Sequence, residues 1–154
     1  MKNSKQQLIL EQLDRKLSSL NGINQLITPK KGWVYTIRTA INMSLRKLGN
    51  RLNISAQSVK EIQDREASGS ITLNSLKEVA NALDMKLVYG FVPKDKSVKN
   101  MIEKQARKKA EEIVLRTSKT MALEDQKNSD ARIKNAIKNK TEEIKTNLPK
   151  YLWE

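Results

Sequence analysis

Between Lys5 and Leu20, leucines at positions 10, 13, 17 and 20 recur at spacings of three and four, the period of an amphipathic helix. Asn21-Gly22 follows as a helix-stop pair. Thr28-Pro29-Lys30-Lys31-Gly32 reads as a linker, because proline lacks an amide donor and turns the residue before it away from helix. A compact domain is therefore expected from Trp33. Its apolar positions fall into four short helical sets: Trp33, Val34, Ile37, Ala40 and Ile41; Leu45, Leu48 and Leu52 behind a Ser44 N-cap; Val59 and Ile62 behind Ser55; and Leu76, Val79, Ala80 and Leu83 behind Thr72.

At Lys86-Leu-Val-Tyr-Gly-Phe-Val92 the pattern changes to a β-rich apolar run stopped by Pro93, which predicts a strand. A lone strand cannot satisfy its own backbone groups, and no second good strand lies nearby, so pairing with the same strand of another copy is the preferred expectation. Helical periodicity then returns. Ser97 to Asp125 carries Ile102, Ala106, Ala110, Ile113, Thr117 and Met121, a helix of about 40 Å at about 1.5 Å per residue. A further helix from Ser129 to Thr146 uses Ile133, Ala136, Ile137 and Ile144, and the tail from Leu148 to Trp153 concentrates apolar and aromatic surface. The segments are thus 1–31 (helix and linker), 32–93 (compact domain with terminal strand) and 94–154 (a helical partner-binding or dimerisation extension).

Composition narrows the chemistry. Only 4% of residues are aromatic, so the core must be mostly aliphatic, which favours small helical packing over a sandwich or barrel. Cysteine and histidine are absent, which removes disulfides, thiol nucleophiles, imidazole bases and nearly every structural zinc site. No catalytic, metal or cofactor residue is proposed: Ser55 or Ser58 with Lys60 suggests a Ser-Lys pair, but capping and base contact account for both serines and no oxyanion hole is evident. The start MKNSKQQLILEQLDRK lacks the apolar block of a signal peptide, and no run approaches the roughly 18 apolar residues of a membrane span, so a cytoplasmic protein without membrane contact is expected. The 30 Lys and Arg against 17 Asp and Glu, a formal charge of +13, would attract a polyanion and release its counterions. A Lys- and Asn-rich genome would give the same balance, so charge alone does not choose nucleic acid.

The motif does choose. Ser44 to Gln63, SLRKLGNRLNISAQSVKEIQ, fits a helix-turn-helix: Gly49 is the small residue where two helices cross, Asn53 tolerates the left-handed turn, and Leu48, Leu52, Ile54, Val59 and Ile62 take the buried positions. A generic pair of amphipathic helices would share the apolar spacing but would not need Gly inside the first helix, where it costs about 1 kcal/mol against Ala. In this motif the second helix lies in the major groove and the first across the backbone. Ala56, Gln57, Ser58, Lys60 and Glu61 are then the solvent-facing residues of the reading helix, which begins at Ser55. Gln57 suits adenine, Ser58 either class of base and Ala56 a thymine methyl, while Glu61 either accepts from cytosine or repels phosphate. Ser44 with its helix amides, Arg46 and Lys47 form the expected phosphate site, with Arg51 as a further contact. One such module reads few base pairs, so a homodimer on a palindromic double-stranded operator is expected. The expected fold is mainly α: a five-helix-type phage-repressor (Xre) helix-turn-helix domain with a short β-strand and long C-terminal helices. The alternative function is a non-catalytic adaptor that uses the same helices to bind a partner protein.

Gly32-Trp33, Ile37-Arg-Thr-Ala40, Met43-Ser44, Glu66-Ala-Ser-Gly-Ser-Ile-Thr-Leu73, Ala82-Leu-Asp84, Leu87-Val-Tyr89, Val92-Pro93 and Thr120-Met-Ala-Leu-Glu-Asp-Gln126 together resemble the mobile mystery protein A family. The resemblance covers most of the chain. It implies a bacterial Xre-type regulator encoded beside a Fic-domain protein, hence an antitoxin-like autorepressor within a toxin-antitoxin operon. Inhibitors of Fic enzymes present Ser or Thr, three residues, then Glu followed by Gly or Asn. Thr120 and Glu124, with Leu123 beside them, resemble that pattern, and Asp125 departs from it.

Overall fold

The computed structural model describes the backbone of residues 2–123 and 130–154, and the side chains of 4–23, 25–119 and 130–154. Among these the protein is all α, with helices α1 (Lys2–Ser18), α2 (Trp33–Ala40), α3 (Leu45–Leu52), α4 (Ala56–Ser68), α5 (Leu73–Ala82), α6 (Val98–Leu123) and α7 (Asp130–Asn147), and 3-10 turns at Ile23–Gln25 and Lys150–Trp153. No described helix is long and apolar enough to cross a membrane. The chain divides into two compact units, Gln25–Tyr89 and Met1–Asn24 with Gly90–Glu154.

In the unit Gln25–Tyr89, Val34, Leu48, Val59, Val79 and Leu83 are buried in one core, so each of α2 to α5 contributes at its expected apolar positions. It holds four helices, one fewer than the five-helix-type class implies. The predicted strand Lys86 to Val92 is not formed: among the described residues there is no strand, and no backbone–backbone hydrogen bond involves residues 86–94. The run has strand-forming side chains, but a ladder needs a second strand and the described residues supply none.

The other unit joins what the sequence reading kept as separate segments. Leu10 of α1, Ile102, Ala106 and Ala110 of α6, Ile144 of α7 and Leu152 of the last turn form one core. Ala106 and Ala110 are fully buried, and side chains this small let neighbouring helices approach closely. Asp14 of α1 accepts hydrogen bonds from the first amides of α6, Val98 N at 2.7 Å and Lys99 N at 3.1 Å, while Gln7 donates to the Lys145 carbonyl of α7 at 3.2 Å. The tail folds back on its own unit, with Leu152 fully buried and its carbonyl accepting from Gln105 Nε2 at 2.8 Å. Thr117 and Ala136, placed on apolar stripes by spacing, are exposed.

Candidate nucleic-acid interface

Ser44 stands in extended backbone, and its Oγ accepts from Lys47 N at 3.1 Å, so one of the orphan donors at the start of α3 is satisfied locally. Ser55 does the same for α4, accepting from Ser58 N at 3.1 Å. Between them Asn53 closes α3 in the left-handed region, φ 57° and ψ 39°, and Ile54 N donates to the Gly49 carbonyl at 2.9 Å. Gly49 is buried, and a Cβ there would lie 2.6 Å from the Ile54 carbonyl oxygen. The small residue and the turn residue therefore serve one geometry: α3 ends abruptly and α4 starts after three intervening residues, packed against it.

The expected base-reading residues separate by exposure. Gln57, Lys60 and Glu61 are exposed. Ala56 and Ser58 are half-buried, a correction to the fully solvent-facing placement, because Ala56 lies three residues before the buried Val59 and Ser58 four before the half-buried Ile62. The Ser58 hydroxyl also accepts from Ser55 Oγ at 3.0 Å, so its first partner is the cap. Exposed Arg46 and Lys47 follow Ser44 in the first turn of α3. Among the described residues neither of these, nor Lys60, joins an ion pair. Arg51 is engaged otherwise, donating to the Ala82 carbonyl at 2.9 Å with Asp84 at 3.8 Å, so it ties α3 to the end of α5.

No family model, curated protein or solved structure matches this chain. The quoted residue patterns and the geometry of the two short helices are therefore what speaks for its function.

Three residues with structural roles at this site were missed in the sequence. Arg38 of α2 donates from Nε to Gln63 Oε1 of α4 and from its guanidinium NH1 to the Met43 carbonyl, both at 2.8 Å. Gln63 is buried, so this bond satisfies a polar group that would otherwise be costly and fixes α4 relative to the residue before Ser44. The signal was a glutamine four residues after Val59, on an otherwise apolar face. Glu66 caps α2 from a distance, accepting from Trp33 N at 2.9 Å and Val34 N at 2.8 Å. Gly32 makes room for it: its φ is +85°, and a Cβ there would lie 2.5 Å from Glu66 Oε1.

Asp64 was missed too. It is exposed and, at i+3 and i+4 from Glu61 and Lys60, continues the outward face of α4. That face is polar and uncharged in its first turn, at Gln57, and carries Lys60, Glu61 and Asp64 beyond it. Of the partner-inhibitory residues, Thr120 and Leu123 have backbone in α6 but side chains outside the described residues, and Glu124 lies outside them altogether.

Proposed function

We propose that this protein is a sequence-specific DNA-binding regulator of the Xre helix-turn-helix type. In this reading α4 enters the major groove by its first turn, with Gln57 and Lys60 toward base edges and Ala56 and Ser58 at the margin of the contact. Ser44, Arg46 and Lys47 lie across the phosphates. The supporting observation is the pair of serine-capped helices joined through left-handed Asn53 over Gly49, with unpaired Arg46, Lys47 and Lys60 beside exposed Gln57.

The operator is a palindrome bound by a homodimer. Exposed Met85, Val88 and Tyr89 at the end of the unit Gln25–Tyr89 are apolar surface suited to dimer contact. The reading makes the protein a binding module rather than an enzyme. It is tested by mobility shift on the chain's own upstream DNA: binding that is weakened by Gln57→Ala and falls steeply with salt is expected. Weak, sequence-independent binding would leave an adaptor of the same fold as the better description.

The likeness to mobile mystery protein A extends the proposal to an antitoxin-like autorepressor paired with a Fic-domain protein, restrained through Thr120, Leu123 and Glu124. Glu124→Ala is expected to restore nucleotide transfer by the partner while operator binding is kept. Undiminished inhibition by that variant would remove Glu124 from the mechanism.

A further inference from the structure

The unit formed by Met1–Asn24 and Gly90–Glu154 carries a groove of about 590 Å³, open to solvent, bounded by α1, the first turns of α6 and the chain that follows α7. Leu10, Val98, Met101, Leu148 and Trp153 make most of its wall apolar. Two of these stay at the surface where burial would be expected of them, Trp153 at 58% exposure and Met101 at 39%. An indole and a thioether left out of a core beside an apolar groove are the side chains that protein interfaces use as anchors.

The apolar surface does not stop at the groove. Gln6 and Leu10 line it from α1, and Ile9 and Leu13 occupy the i+3 and i+7 positions from Gln6, both exposed. The stripe therefore runs along α1 for two turns. At the other rim the backbone itself is strained into place: Leu148 holds φ +45°, a region that a bulky side chain enters only at a cost. That turn brings Pro149 and Trp153 to the groove and closes its far side.

Charge around this surface is mostly positive. Among the described residues the only ionic side chain in the groove wall is Lys150. Lys5, four residues before Ile9, and Lys16, three after Leu13, continue along the flank of the stripe, and both are exposed. The nearby carboxylates Glu11, Asp14 and Asp95 are already engaged. Asp14 caps α6, Glu11 pairs with Lys99 at 3.4 Å, and Asp95 pairs with Lys104 at 3.3 Å. Glu154, next to Trp153, lies outside the wall.

We propose that this groove, with the stripe beside it, docks a helical segment of another protein that is apolar on one face and acidic along its flanks. A second copy of this chain is the poorer occupant, since it would set Lys5, Lys16 and Lys150 against their own kind.

The test uses the full chain and three dye-labelled peptides of about 16 residues, long enough to form helix in water. One has leucines at i, i+3, i+4 and i+7 with glutamates between them, a second has the same residues scrambled, and the third carries lysines in place of the glutamates. Fluorescence anisotropy is expected to show binding of the first alone. Met101→Gln and Trp153→Gln should each weaken it by about tenfold while the circular dichroism of the chain is unchanged. Equal binding of the scrambled peptide, no binding of the first, or full binding by both variants would overturn the proposal. So would a dimer, seen by sedimentation without peptide, that Met101→Gln dissolves, because the occupant would then be a second copy.

Discussion

At Gly49 two effects of opposite sign meet. Alanine is the better helix former by about 1 kcal/mol. Its Cβ, however, would stand 2.6 Å from the Ile54 carbonyl oxygen, and that atom is backbone in the turn whose geometry Asn53 fixes, so it cannot swing aside as a side chain would. Overpacking of this kind costs about 1 to 3 kcal/mol, which exceeds the propensity gain. Gly49→Ala is therefore expected to lower the urea midpoint, and an unchanged or raised midpoint would mean that α3 and α4 can move apart. The outward face of α4 makes a second residue-scale prediction. Asp64 lies beyond the first turn, where a phosphate would be repelled and no base edge is offered. Asp64→Asn should raise affinity for operator and scrambled DNA alike, by up to about fivefold, since exposed charge interactions are worth no more than about 1 kcal/mol. Gln57→Ala should instead lower affinity for the operator alone, a loss of about 1 to 3 kcal/mol at one base pair. Parallel titrations of both variants on both DNAs separate the two roles, and the same response from each would place neither residue at a base.

Helix ends explain which elements could be read in advance. Ser44, Ser55 and Thr72 each cap a helix by accepting from the amide three residues on, so cap and helix lie in one short window of sequence. Asn53 and Gly49 are legible for the same reason. Asp14 is the opposite case: it caps α6 from 84 residues away, and no local pattern announces such a partner. Glu66, which caps α2 across 32 residues, is equally silent, and both became visible only once the helices had packed. The failed strand at Lys86 to Val92 belongs with them, because side-chain composition is local whereas a ladder depends on what lies alongside. Asp14→Ala is expected to cost about 1 to 2 kcal/mol, the usual loss for removing a cap. That loss should fall on the unit holding α1, α6 and α7. Hydrogen exchange should show faster opening of amides 98 to 101 with those of α3 and α4 unaffected, and uniform protection would show that the cap contributes nothing.

Across the whole molecule the positive charge is shared between the two units roughly in proportion to their length. Residues 25–89 hold 10 Lys and Arg against 5 Asp and Glu, while residues 1–24 and 90–154 hold 20 against 12. The net charge of +13 therefore does not locate the proposed DNA contact, since the greater part of it lies outside the unit that carries α3 and α4. Some lysines of that unit are set beside carboxylates, as in Lys109 with Glu112 at 3.5 Å and Lys140 with Glu143 at 3.2 Å. A cation already paired in this way displaces fewer counterions from a phosphate than an unpaired one. The salt dependence of operator binding can distinguish the two units, because each phosphate neutralised adds about 0.9 to the slope of log affinity against log salt. Replacing Arg46 and Lys47 together by alanine should reduce that slope by about 2 and weaken all sequences equally. Replacing Lys108 and Lys138, both exposed in the other unit, should leave it unchanged. If the second pair lowered the slope as much as the first, the polyanion would be held by the helices around α6 and α7, and α4 would lose its claim to the groove.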